Sequence, residues 1–131
     1  MYKKLIRGAA VTGILLLFLN TTAHFLYWYE GQSYFDNVMH ILGGIFVALL
    51  SIIFLRRLGK LSISTGLVLF VVFLTGLAWE IYELVMQNIS GIQLVTLPDS
   101  ILDLIYDLIG GWIALFFVLI RRKRYNIDNA R

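Results

Sequence analysis

The sequence predicts an all-α membrane protein, a four-transmembrane-helix bundle with N and C termini both cytoplasmic. Three observations predict it. The 131 residues are 60% hydrophobic, with a mean hydropathy of +0.83, against roughly 45–50% apolar in a soluble domain. Four apolar stretches approach the ~20 residues that a spanning helix needs. The charges fall on alternate connections between those stretches, as they do when a chain threads a bilayer.

The first stretch, 8–29, contains no Lys, Arg, Asp or Glu. Its basic start resembles a secretory signal, but the apolar run is long and no small-x-small cleavage site follows, so a retained helix is predicted. The second, 37–55, carries His40 near its start, with Ser33 or Asp36 placed to cap it. The third, 61–83, is uncharged to Trp79 and runs on through Glu80 and Glu83. The uncharged run 108–120 is too short by itself. It becomes a fourth span, 99–120, only if the helix begins near Pro98 and carries Asp103 and Asp107 within it; Thr96 and Pro98 are suitable start residues. The segment QNISGIQLVTL, 87–97, is uncharged and contains a glycine turn signal. It is expected to lie along the interface or dip back over the bundle. Together these elements make one integral membrane domain, 1–131.

All eleven basic residues follow one pattern. Lys3, Lys4 and Arg7 precede span one, Arg56, Arg57 and Lys60 separate spans two and three, and Arg121, Arg122, Lys123, Arg124 and Arg131 follow span four. Of the acids only Asp128 joins them; Glu30, Asp36, Glu80, Glu83, Asp99, Asp103 and Asp107 fall on the opposite side. The net charge of +3 therefore conceals ends of about +10 and −7. The positive-inside rule makes the basic side cytoplasmic, where it would touch anionic lipid; nucleic acid is not an expected partner. With no cysteine, thiolate catalysis and thiolate metal sites are excluded.

The acidic end draws attention because of its spacing. Asp36 and His40 are one turn apart, as are Glu80 and Glu83, and Asp99, Asp103 and Asp107 step by four along one helical face. Asp107 would lie roughly 12 Å below Asp99, inside the acyl region, where a charge costs on the order of 2.5–3.5 kcal/mol on insertion scales. No Lys or Arg stands on that side to compensate. For Asp36, helix capping and a functional role are equally compatible; for Asp99, capping is the simpler role. Glu30 reads as a solvated loop charge, His24 as an interfacial residue, and Tyr27, Trp28, Tyr29, Trp79 and Trp112 as an aromatic belt. Capping does not explain His40, Glu80, Asp103 and Asp107 together.

One pattern is written twice. DNVMHILGG, 36–44, and DLIYDLIGG, 103–111, both place Asp, an ionisable residue four later and a glycine pair. Small residues permit close helix approach in lipid, so Gly43-Gly44 and Gly110-Gly111 would bring helices two and four together. The repeat also implies two helical hairpins, 1–60 and 61–131, related by a pseudo-two-fold along the membrane normal.

The order D-x-x-x-H, then E-x-x-E, then D-x-x-x-D-x-x-G over residues 34–111 resembles the VanZ-like and the YjdF-like small membrane proteins. In the VanZ-like pattern Asp36 and His40 match an Asp–His pair, Glu80 the Glu of E-x-x-Q, Asp103 the later Asp and Gly110 a glycine near the end. Glu83 and Asp107 stand where that family favours Gln and Asn, and the Arg often preceding its last helix is absent; these departures favour the YjdF-like group. The VanZ-like resemblance implies the cell envelope and teicoplanin-type glycopeptide resistance, whereas the YjdF-like one implies little about activity.

Three functions fit. The first is a multi-pass protein of a prokaryotic plasma (inner) membrane with a cell-envelope or lipid-linked role, its polar cluster extracytoplasmic. The second is an enzyme on an outer-leaflet lipid or lipid-linked substrate. Asp36, His40, Glu80, Glu83, Asp103 and Asp107 would then hold a divalent ion such as Mg²⁺, Mn²⁺, Ca²⁺ or Zn²⁺, or His40, Glu80, Asp103 and Asp107 would perform acid–base catalysis. The third is a proton or cation path, for which the spans lack ionisable residues below the cluster unless a homo-oligomer builds one.

Overall fold

A computed structural model describes residues 2–26, 33–59, 64–90 and 96–128. Among these residues there are four helices and no strand: α1 Tyr2–Phe25, α2 Ser33–Arg57, α3 Thr65–Ser90 and α4 Leu97–Asp128. All four are long and apolar enough to cross a membrane. Local chemistry accounts for their ends. Beyond α2, Gly59 takes φ +73° and its amide bonds the Arg56 carbonyl, a left-handed stop that suits glycine. At the start of α3, the Ser64 hydroxyl accepts the Leu67 amide at 3.3 Å, satisfying a donor the helix leaves free. At the start of α4, the Thr96 carbonyl accepts the Ser100 amide at 3.1 Å, with Asp99 in the first turn.

The helices depart from the apolar stretches at their ends. α1 begins at Tyr2 and takes Lys3, Lys4 and Arg7 into its first turns, and it closes at Phe25; Tyr27, Trp28, Tyr29 and Glu30 lie outside the described residues. α3 starts after Ser64 and continues past Glu83 to Ser90. Gln87–Ser90 therefore extend the helix rather than turning along the interface; residues 91–95 lie outside the described part. The physical reason is that loss of hydrocarbon does not end a helix. Backbone hydrogen bonding continues through Ser90.

The helices pack antiparallel in sequence. Arg57 Nε donates to the Tyr2 hydroxyl at 2.8 Å, tying the end of α2 to the start of α1. α1 packs on α2 and makes no close backbone approach to α3 or α4 among the described residues, whereas α2, α3 and α4 all contact one another. Near the basic end this trio shares an apolar core of Ile52, Leu55, Val68, Val72, Ala114, Leu115 and Val118, which Leu5 and Ala9 of α1 join. Val11, Ile14, Leu17 and Phe18 of α1 are exposed, as a lipid-facing surface is.

Two glycines set the tightest crossing. A Cβ on Gly44 would overlap the Asp107 carbonyl, and one on Gly110 would overlap the Ile41 carbonyl and reach Ile45 N at 2.9 Å. Here α2 and α4 touch backbone to backbone, an approach that any side chain prevents.

A candidate cation centre between three helices

One turn above that crossing, α2, α3 and α4 converge on His40. Counting 1.5 Å per residue, His40 is about 24 Å above Arg56, Glu80 about 22 Å above Thr65, and Asp107 about 21 Å above Arg121. The three stand at one level, inside a hydrocarbon layer of roughly 30 Å. Asp36 is about 30 Å above Arg56, at the edge of that layer.

His40, Glu80, Asp103 and Asp107 are all buried, at 7%, 2%, 3% and 6% exposure. The imidazole has two distinct sides. Nδ1 faces Asp107 Oδ2 at 3.4 Å. Nε2 faces three other carboxylates: Asp103 Oδ1 at 3.8 Å, Asp36 Oδ1 at 3.9 Å and Glu80 Oε1 at 3.9 Å. Asp36 is the one member with substantial access, its side chain 35% exposed. The cluster is thus closed within the bundle and open toward the acidic end.

Among the described residues both carboxylate oxygens of Glu80, and Oδ2 of Asp107, are buried without a hydrogen-bond partner. Unsatisfied buried oxygens are costly. Ionised carboxylates crowded around one imidazole also repel. The centre therefore requires positive charge beyond the imidazole, as shared protons or as a bound cation.

The donor set fits a cation. One ligand atom each from Asp36, His40 and Asp103 lies within 4.8 Å of the others. Ligands of a tetrahedral ion with ~2.1 Å bonds are about 3.4 Å apart, so modest side-chain shifts would close the set. Glu80, whose Oε1 lies on the same Nε2 side, is a further donor. Asp107 occupies the other nitrogen, the place of the carboxylate that orients a metal-binding histidine.

The six sequence-derived site residues thus fall into three groups. Asp36, His40, Glu80 and Asp103 meet at Nε2, and Asp107 meets His40 at Nδ1. Glu83 lies at the edge of the cluster, half-buried: its carboxylate accepts the Trp79 indole N–H at 2.9 Å, and no Glu83 oxygen is within ion-pair distance of His40. Three residues of helix turn the side chain by about 60° from Glu80, enough to carry it off the face that Glu80 buries. The His24 side chain is outside the described part, and Trp79 and Trp112 are exposed.

Sequence reasoning missed Gly76. A Cβ there would overlap Asp107 Oδ2 and meet Leu104 Cδ2 at 3.1 Å, so this glycine supplies the space into which the Asp107 carboxylate turns. The signal was present: Gly76 precedes the inward Glu80 by four residues on one helical face. The glycine pairs are also unequal. Gly44 and Gly110 meet backbone, Gly111 meets the side chains of Leu69 and Val72, and Gly43 has only Asp107 Oδ1 at 3.8 Å.

The model of a family described as "Predicted membrane protein (DUF2238)" matches residues 5–124, which include all four helices and the whole cluster. No curated protein matches the chain, and no solved structure does.

Proposed function

We propose, from the premise that the chain belongs to this DUF2238 family of membrane proteins, that it holds a divalent cation near the acidic end of its bundle. The ion would serve to bind an anionic group of an outer-leaflet lipid or lipid-linked molecule. The observation that carries this reading is the convergence of Asp36, Glu80 and Asp103 on Nε2 of His40, with the Glu80 carboxylate buried. His40, Asp36, Asp103 and Glu80 are the ligands, and Asp107 fixes the imidazole through Nδ1. An imidazole among carboxylates suits Zn²⁺ or Mn²⁺ better than Ca²⁺ or Mg²⁺. Access through the half-exposed Asp36 admits a headgroup phosphate from the acidic end.

The charge segregation supports an extracytoplasmic position for this end in a prokaryotic plasma membrane. The resemblance of the D-x-x-x-H, E-x-x-E and D-x-x-x-D motifs to VanZ-like and YjdF-like chains supports a cell-envelope setting. A through-path for ions is the poorer reading, because α2 and α4 meet backbone to backbone below His40 and the core beyond is apolar.

The test is metal analysis of protein purified in detergent, followed by equilibrium dialysis against Zn²⁺ and Mn²⁺. Wild-type protein should retain one divalent ion per chain. Asp103→Asn should lose it while keeping its helical circular dichroism and elution volume. Absence of saturable binding in folded wild-type protein overturns the reading and leaves the cluster as proton-sharing helix packing.

A further inference from the structure

At the opposite end of the molecule α1 makes close backbone approach to α2 and not to α4 among the described residues, although Leu5 and Ala9 reach the shared core. The space between α1 and α4 is a shallow, open cleft of about 390 Å³, lined by Lys4, Arg7, Gly8, Val11, Thr12 and Arg121. A deeper cavity of about 220 Å³ shares Lys4, Gly8 and Arg121 with it. Its floor is apolar, formed by Ile45 and Leu49 of α2 and by Ala114, Phe117 and Val118 of α4. The two together are amphipathic: three cations at the mouth, hydrocarbon below.

Three details suit this cleft to an anion with an apolar tail. No acidic side chain is among its lining residues, so its positive charge is not neutralised within it. The Arg121 guanidinium lies over the Phe117 ring at 5.0 Å, which holds the charge at the mouth and restricts its rotamers. Lys4 and Arg7 are three residues apart on α1 and present two cations on neighbouring turns of one face. A free phosphate would satisfy the mouth and leave the apolar floor unused; a neutral lipid would do the reverse.

We infer that the α1–α4 cleft is a binding site for an anionic phospholipid, its phosphate held by Lys4, Arg7 and Arg121 and one acyl chain lying over the α2–α4 floor. The lipid fills the gap left between α1 and α4, whose backbones make no close approach among the described residues. This site is independent of the cation centre, some 20 Å away along the bundle by helical rise, and either can fail alone.

Native mass spectrometry and thermal unfolding of the full chain in maltoside micelles test it, with phosphatidylglycerol as the probe. The lipid should bind saturably, one per chain, and raise the melting temperature; phosphatidylcholine of the same chains, or inorganic phosphate, should do neither. Each cleft charge removed should weaken binding roughly fivefold, so Arg7→Gln with Arg121→Gln should weaken it roughly thirtyfold. Lys3→Gln, which removes a charge at the same end but outside the cleft lining, should leave binding unchanged. Equal effects of Lys3→Gln and Arg7→Gln would reduce the site to general surface charge. Equal binding of phosphatidylcholine to wild-type protein, or an equal shift with phosphate alone, would overturn it without recourse to any variant.

Discussion

The two ends of the bundle are held together by different means. At the acidic end, α2, α3 and α4 bring five ionisable side chains together, and glycines fix the spacing: Gly44 and Gly110 at backbone contact, Gly76 opposite the Asp107 carboxylate. At the basic end the same three helices meet through large apolar side chains, and α1 joins through Leu5 and Ala9. The charges there stay on the rim, around a cleft that the helices do not close. The difference teaches where position matters. Dispersion packing tolerates small displacements, whereas carboxylates crowded around one imidazole do not, and a backbone contact is the stiffest way to hold two helices in register.

Three glycine substitutions sharpen that contrast, in falling order of effect. Gly110→Ala should be the most damaging. Its Cβ overlaps the Ile41 carbonyl, and backbone cannot move aside as a side chain does. We expect a loss of about 3 kcal/mol, the upper part of the usual overpacking range, despite alanine being the better helix former. Unfolding in micelles should show a large fall in melting temperature together with loss of the ion. An unchanged melting temperature would mean that the crossing is looser than the structure has it.

Gly76→Ala should separate site geometry from fold. Its Cβ displaces the Asp107 carboxylate, a flexible group, so the bundle should lose only about 1–2 kcal/mol. Ion affinity should fall by roughly 10–100-fold, as when a carboxylate behind a histidine ligand is disturbed. Asp107→Asn should show a similar affinity loss by competition dialysis. If both variants bind the ion like wild type, Asp107 has no positioning role.

Gly13→Ala should be nearly silent. Its Cβ comes within 3.0 Å of Phe46 Cε2, the far edge of a half-buried ring that can tilt. The helix gain of about 0.5–1 kcal/mol from removing a mid-helix glycine should offset that adjustment, with ion content unchanged. A fall as large as that of Gly110→Ala would show that α1 is as rigidly fixed as the central trio.

Much of the acidic end was legible from spacing. Asp36 with His40, and Asp103 with Asp107, share faces because four residues make about one turn, and both glycine pairs lie one turn further along. The same rule served less well for Glu80 and Glu83: a three-residue step leaves an angular offset, and which of two acids faces inward depends on the neighbouring helices. The ends of α3 were illegible for another reason. Hydropathy marks where hydrocarbon begins, but capping by Ser64 and continued backbone hydrogen bonding set where the helix runs.

By itself, the sequence determined that the chain has four membrane-length helices and that all its acidic residues but Asp128 fall on the connections its basic residues avoid, because hydropathy and charge are properties of the residues wherever they sit. Only the tertiary structure decided the rest: that Asp107 takes one nitrogen of His40 while Asp36, Glu80 and Asp103 share the other, that Gly44 and Gly110 carry the crossing while Gly43 does not, and that α1 leaves a cleft beside α4. Those facts depend on how far one helix is rotated and displaced against another, and in lipid that is set by side-chain shape at the contacts rather than by burial of apolar surface.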